Sequence, residues 1–199
     1  AEIGILQSLR ELPGFLAFTV VFLLFLLKEQ RIALISLILL GIGTALTGFF
    51  PTVIGLYLTT VVMSIGFHYF ETIQTSLSLQ WIETERTAEV LGRIIAVGAF
   101  TSIVAFTVIW LAFDVMSLDF VTVYILGGSI TAVIAVAAWL CFPQFPIRVR
   151  QRRQLILRKR YWLYYALTFL SGARRQIFIV FAGFLMVEKF GYSVAAISV

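Results

Sequence analysis

The chain has 199 residues, 61% hydrophobic and 13% charged, with a mean hydropathy of +1.02. A soluble domain is about half apolar and a quarter charged, so this composition excludes an ordinary soluble fold. The net charge of +5 is clustered along the chain, and a single cysteine, Cys141, excludes an internal disulfide or a thiolate metal cluster.

The opening residues Ala1-Glu2-Ile3-Gly4 show no cleavable signal pattern and no initiator methionine, the expectation for a fragment or a chain whose start was removed. Six apolar segments follow, each near the length that crosses about 30 Å of hydrocarbon. The first is expected from Leu12 to Leu27, between Glu11 and Lys28, with Pro13-Gly14 in its first turn. The second runs from Ile32 to Phe50 and closes in the breaker cluster Gly48-Phe49-Phe50-Pro51-Thr52, a tight turn. The third continues to Trp81, and the fourth runs from Val90 to Phe113. A short acidic turn, Asp114 to Asp119, leads to the fifth, Phe120 to Phe142, which Pro143 and Pro146 stop. The sixth extends from Tyr161 to Val187; Glu188 and Lys189 close it, and Gly191 makes a turn.

These runs are longer than barrel strands, and lipid leaves no partner for an unpaired backbone group. The expected fold is therefore all-α, a polytopic helical membrane protein of about six transmembrane helices. Gly41, Gly43, Gly92, Gly98, Gly127, Gly128, Ala132 and Ala135 lie inside the spans, where small residues let helices approach. Cys141 reads as one more small residue of a membrane helix.

The connections set an orientation. Lys28 and Arg31 flank the first, Arg86 and Arg93 the third, and the fifth carries Arg148, Arg150, Arg152, Arg153, Arg158, Lys159 and Arg160 without an acid. The connections at Pro51 and at Asp114 to Asp119 contain no Lys or Arg. Strict alternation places the basic connections in the cytoplasm and both chain ends outside. Between two spans, a basic run reads as a positive-inside loop and not as a nucleic-acid site, with anionic lipid as an additional contact. Glu83, Glu85, Arg86 and Glu89 form a solvated loop, and Trp81, Trp110, Trp139 and Trp162 sit near span ends, as interfacial anchors do.

Two spans carry polar stripes. Thr60, Ser64, His68, Glu71, Thr75 and Ser78 share one face of the third, within about 80° at 100° per residue. Such a stripe faces protein or water. His68 and Glu71 are one turn apart near the midpoint. Burial should raise the proton affinity of Glu71, making it a candidate proton carrier with His68 as relay. A structural hydrogen-bond network between packed helices is the alternative. In the sixth span Arg174 and Arg175 lie at the centre of an otherwise uncharged stretch, where each arginine costs about 2.5–3.5 kcal/mol on insertion scales. Tyr164, Thr168, Ser171, Arg175 and Phe178 share a face; Arg174 points about 100° away. Arg175 is the candidate cavity residue, pairing with Glu71 or holding an anionic solute in its bidentate fork, and a purely structural ion pair remains the alternative.

Enzyme chemistry finds little support: the single histidine excludes a two-histidine zinc site within these residues, and no Gly-x-Ser-x-Gly elbow or lysine-ended glycine loop occurs. No cofactor is expected.

The layout of a short basic connection at Lys28 to Arg31, tightly joined spans, a charged loop at Glu83 to Arg93 and a long basic linker at Arg148 to Arg160 resembles the major facilitator superfamily of secondary transporters. The resemblance implies a partial bundle holding the second to seventh helices of that fold. Residues 1–145 would belong to the N-terminal half, 146–160 to the cytoplasmic linker, and 161–199 to the first helix of the C-terminal half. It implies alternating access of a small solute in a bacterial cytoplasmic membrane, with Glu71, His68, Ser64, Thr75, Arg174, Arg175 and Ser171 lining the path. Departures are plain. Leu27-Lys28-Glu29-Gln30-Arg31 stands where the family's Gly-x-x-x-Asp-Arg-x-Gly-Arg-Arg signature belongs, no proline occurs from Val90 to Phe113, and no arginine from Thr60 to Ile65; these weaken an assignment to drug export. The rival expectation is a transporter-like receptor or assembly protein whose charges are structural.

Overall fold

The computed structural model describes residues 2–146, 158–176 and 181–193, with side chains of 173–176 excepted. Among the described residues every regular element is helical: α1 Glu2–Phe15, α2 Val20–Leu23, α3 Glu29–Phe49, α4 Val53–Trp81, α5 Thr87–Trp110, α6 Phe120–Cys141, α7 Trp162–Gln176 and α8 Ala182–Phe190. Among the described residues, five helical stretches are long and apolar enough to cross a membrane: Glu2–Leu23, Glu29–Phe49, Val53–Trp81, Thr84–Val115 and Phe120–Cys141. The expected sixth span, Tyr161 to Val187, contains α7, of 15 residues, and the greater part of α8, of 9 residues; 177–180 between them lie outside the described residues.

Contacts divide the chain into two units. One comprises Ala1–Ala99 with Leu118–Gln154, the other Phe100–Ser117 with Leu155–Val199. In the second unit the turn Lys159–Tyr161 leads into α7, and the Arg158 N–H donates to the Tyr165 hydroxyl at 3.4 Å. No residue of α5, which has members in both units, is buried.

The first unit is organised around α3. Gly43 lies against Met63 of α4 and Gly66 of α4 against Ser36 and Leu40, so these two helices run antiparallel. On another face, Gly41 meets Gly128 and Ala132 of α6, and Gly48 meets Val121 and Tyr124, again antiparallel. The first helix runs parallel to α4: the Tyr57 hydroxyl reaches the Glu2 carbonyl at 3.4 Å, Ser64 reaches the Arg10 carbonyl, and Thr19 pairs with Tyr69. Val20, Ile32, Ala33 and Ile73 form the core, with Leu23, Leu24, Leu27, Tyr69, Phe70 and Leu77 packed around it. Helices crossing in sequence with alternating direction give this pattern.

The first span differs from expectation. It begins at Glu2 and ends at Leu23, not at Leu12 and Leu27. Gln7, Ser8, Arg10 and Glu11 extend the helix because a polar residue breaks an apolar run without breaking a helix. Near its C-terminal end, Leu16–Thr19 tightens to a 3₁₀ turn after Pro13, and Leu24 to Leu27 unwind before Lys28 turns extended. The second span starts at Glu29, three residues earlier than expected, and Glu29 is buried at 8% exposure.

Caps fix the opposite end. Thr52 accepts from the Gly55 N–H at 3.1 Å, and Asp119 accepts from the Thr122 N–H at 2.9 Å. The Thr122 side chain first, then its N–H, hold the Asp119 carboxyl below the ordinary carboxylate range. Because the folded value is the lower one, this contribution is present at neutral pH and is lost as pH falls through it. Asp119→Ala should lower the thermal midpoint of the detergent-solubilised protein. Asp119→Asn should be near neutral, because asparagine caps as well as aspartate does.

Candidate functional site

The polar stripe of α4 is a single face, and its surroundings change along its length. Thr60 and Ser64 are buried at 8% and 2% exposure, where the first helix covers them. The Ser64 hydroxyl donates to the Arg10 carbonyl, a contact that packs helices and leaves no proton for a relay. One turn on, the His68 side chain is 15% exposed and its Nδ1 lies 3.9 Å from Glu71 Oε2. The Glu71 side chain is 59% exposed, and Thr75 is exposed. The stripe thus passes from a closed interface to an open surface at mid-helix, with the imidazole–carboxylate pair at the transition.

This corrects one expectation. The Glu71 side chain is exposed on the described chain, not buried within it as the stripe suggests. The first segment runs on past the 3₁₀ turn along another face of α4, where Val20 clusters with Ile73, and leaves the Glu71 side uncovered. Thr75 donates to the Glu71 carbonyl at 3.0 Å, and Thr72 to the His68 carbonyl at 2.8 Å. Both hydroxyls are used by the helix backbone, so Thr75 does not bridge to the carboxylate.

Two charges that the sequence reading left outside the spans lie inside the first. Arg10 and Glu11 sit near the middle of Glu2–Leu23, their side chains 4.0 Å apart and partly exposed. Arg10 is level with Ser64, about two turns before Glu71 along α4. The spacing of Arg10 and Glu11 from Glu2 along a helix, more than the local apolar run, would have revealed them.

A second polar cluster lies at the end of the unit where α3 begins and α4 and α6 finish. The buried Glu29 carboxylate accepts from Ser76 at 2.8 Å and from Gln80. Beside it, the Gln30 amide donates to the Pro143 carbonyl at 2.9 Å and accepts from the Phe145 N–H at 3.0 Å. Trp81 packs edge-on to Phe145 with ring centroids 5.1 Å apart. Lys28 and Arg31 flank this end, as the basic connections require.

Arg174 and Arg175 occupy the last turn of α7, and their side chains lie outside the described residues; Ser171, on the same helix, is exposed. Arg148, Arg150, Arg152 and Arg153 also lie outside them. Glu71 belongs to the first unit and the arginine pair to the second. Among the described residues no group of three His, Cys, Asp or Glu side chains is placed to hold a metal, and Cys141 is exposed at the last position of α6.

Neither a scan against protein-family models nor searches of curated proteins and of solved structures gave a match.

Proposed function

We propose that the chain forms part of the solute path of a multi-pass membrane transporter of the major facilitator type, with His68 and Glu71 as its proton-handling pair. The observation that carries this reading is the α4 stripe: a polar face in an apolar 29-residue helix, opening to the surface at an imidazole–carboxylate contact of 3.9 Å. Ionisable side chains at mid-span are costly and face a polar cavity or a partner. The antiparallel order of α3, α4 and α6 and the basic connections at one end support a topology with the basic loops in the cytoplasm. In this reading Arg175 holds a small anionic solute or pairs with Glu71 when the path is empty, and Arg174 contacts a neighbouring helix. In transporters of that type, alternating access is the rocking of two half-bundles about a midplane site.

The test is proton-linked uptake in proteoliposomes loaded with a pH-sensitive dye and offered small carboxylates and inorganic phosphate. Glu71→Gln should remove the pH dependence and slow proton-linked uptake about tenfold or more, the scale of losing a proton-transfer group. Arg175→Gln should abolish uptake while the protein stays folded. Unaltered pH-dependent uptake in Glu71→Gln rules out the proton role.

A receptor or assembly role is the second reading. It is favoured by α5, whose 24 apolar-rich residues include no buried one and so offer a face to another membrane helix. Absence of any solute flux, with co-purification of a fixed partner, would select it.

A further inference from the structure

Gly14 follows Pro13 in the first helix and faces α4. A Cβ placed on it would stand 2.8 Å from His68 Cε1, 2.9 Å from Nε2 and 3.1 Å from Nδ1. The imidazole therefore rests on a surface that only hydrogen atoms leave open. Two contacts register the same helix pair to either side: Ser64 on the Arg10 carbonyl, and Thr19 Oγ1 with the Tyr69 hydroxyl at 2.6 Å. Phe67 meets the ring edge-on, its centroid 5.1 Å away. With these neighbours in place, Nδ1 is presented to Glu71 at 3.9 Å. The charged groups of the two packed elements are Glu2, Arg10 and Glu11 on α1, the last two 4.0 Å apart, and Glu71 on α4. Among the described residues, Glu71 is the acid within ion-pair range of the imidazole.

The first helix is also jointed at this place. Pro13 removes a backbone donor and its ring crowds the carbonyl four residues back, and the 3₁₀ turn Leu16–Thr19 follows at once. A 3₁₀ stretch within a helix is a common hinge.

We infer that Gly14 is a positioning residue, the seat that turns His68 onto Glu71, so that the pair forms only while the first helix is docked on α4. Resting on the proton-pair reading above, this makes the position of the first helix and the handling of the proton one event: lifting the helix at its joint frees the ring and separates the pair.

The chain's single histidine makes the test direct. Solid-state NMR on the protein in lipid bilayers, with ¹⁵N-histidine and ¹³Cδ-glutamate, should show dipolar dephasing between His68 and a glutamate, and Glu71→Gln should remove it. Gly14→Ala should reduce the dephasing to the Glu71→Gln level, because the imidazole is the mobile end of its side chain and swings away from the added methyl. Its thermal midpoint should match that of Gly4→Ala, where nothing lies within 4 Å. No dephasing in the parent protein overturns the proton-pair reading itself. Dephasing present in the parent, lost in Glu71→Gln and kept in Gly14→Ala overturns the seat alone. Where Gly14→Ala fails to fold, contact in the parent protein between ¹³Cα-glycine and histidine labelled with ¹⁵N in the ring alone decides: its presence supports the seat and its absence overturns it.

Discussion

Gly128→Ala should be among the most damaging single-methyl additions in this chain, while Gly127→Ala, its neighbour, should be neutral or slightly stabilising. A Cβ on Gly128 would fall on the Ala45 nitrogen and the Gly41 carbonyl oxygen, and 2.8 Å from Ala45 Cα. All three are backbone atoms of α3, so no rotamer change relieves the clash and the two helices must move apart. That separation also loosens Gly41 against Ala132. Overpacking of this kind costs about 1–3 kcal/mol, and rigid backbone on the receiving side puts Gly128 at the upper end. At Gly127 nothing lies within 4 Å, so alanine only reduces the freedom of the unfolded helix. Unfolding midpoints in mixed detergent–SDS micelles read both variants. Equal midpoints for the two would show that α3 and α6 are not held this closely.

The second large effect is expected at Glu29. Its carboxylate lies at the start of α3, where unpaired N–H groups and the helix dipole favour a negative charge, and it accepts from both Ser76 and Gln80. Glu29→Ala leaves those two donors facing a void at the end of α4. A fully buried abandoned donor costs about 1–3 kcal/mol; Ser76 and Gln80 are half-buried, so a combined loss of about 2–3 kcal/mol is expected. Glu29→Gln should lose less, because one carbonyl oxygen still accepts and the Ser76 hydroxyl can turn to accept in its place. The same midpoint measurement decides. An alanine variant as stable as the parent would remove Glu29 from the set of contacts holding α3 to α4.

The helices themselves were legible because each apolar run is long enough to specify one, and the fifth expected span, Phe120 to Phe142, is matched by α6 to within one residue. Boundaries moved where polar residues continue a helix, at Gln7 to Glu11, at Glu29 and at Thr87 to Glu89, and where Leu24 to Leu27 leave it. Glu29 reads as a loop charge because Lys28 and Arg31 surround it; its donors lie 47 and 51 residues away, and only the antiparallel register of α3 and α4 brings them together. The α4 stripe was legible from its period alone, as was the His68–Glu71 contact. What the period cannot tell is which half of the stripe another helix covers. That depends on the course of a helix more than 40 residues earlier, which sets Arg10 against Ser64 and leaves Glu71 exposed.

The length of α4 has a consequence for how the unit sits in a bilayer. Twenty-nine residues make a rod of about 43 Å, against roughly 30 Å of acyl chains. Leaning alone would require about 45°, steeper than membrane helices usually adopt. In a bilayer, protrusion beyond the acyl chains would relieve the mismatch; the C-terminal turns, with Ser76 and Gln80 held by Glu29 and Trp81 against Phe145, carry the polar and aromatic groups suited to the headgroup layer.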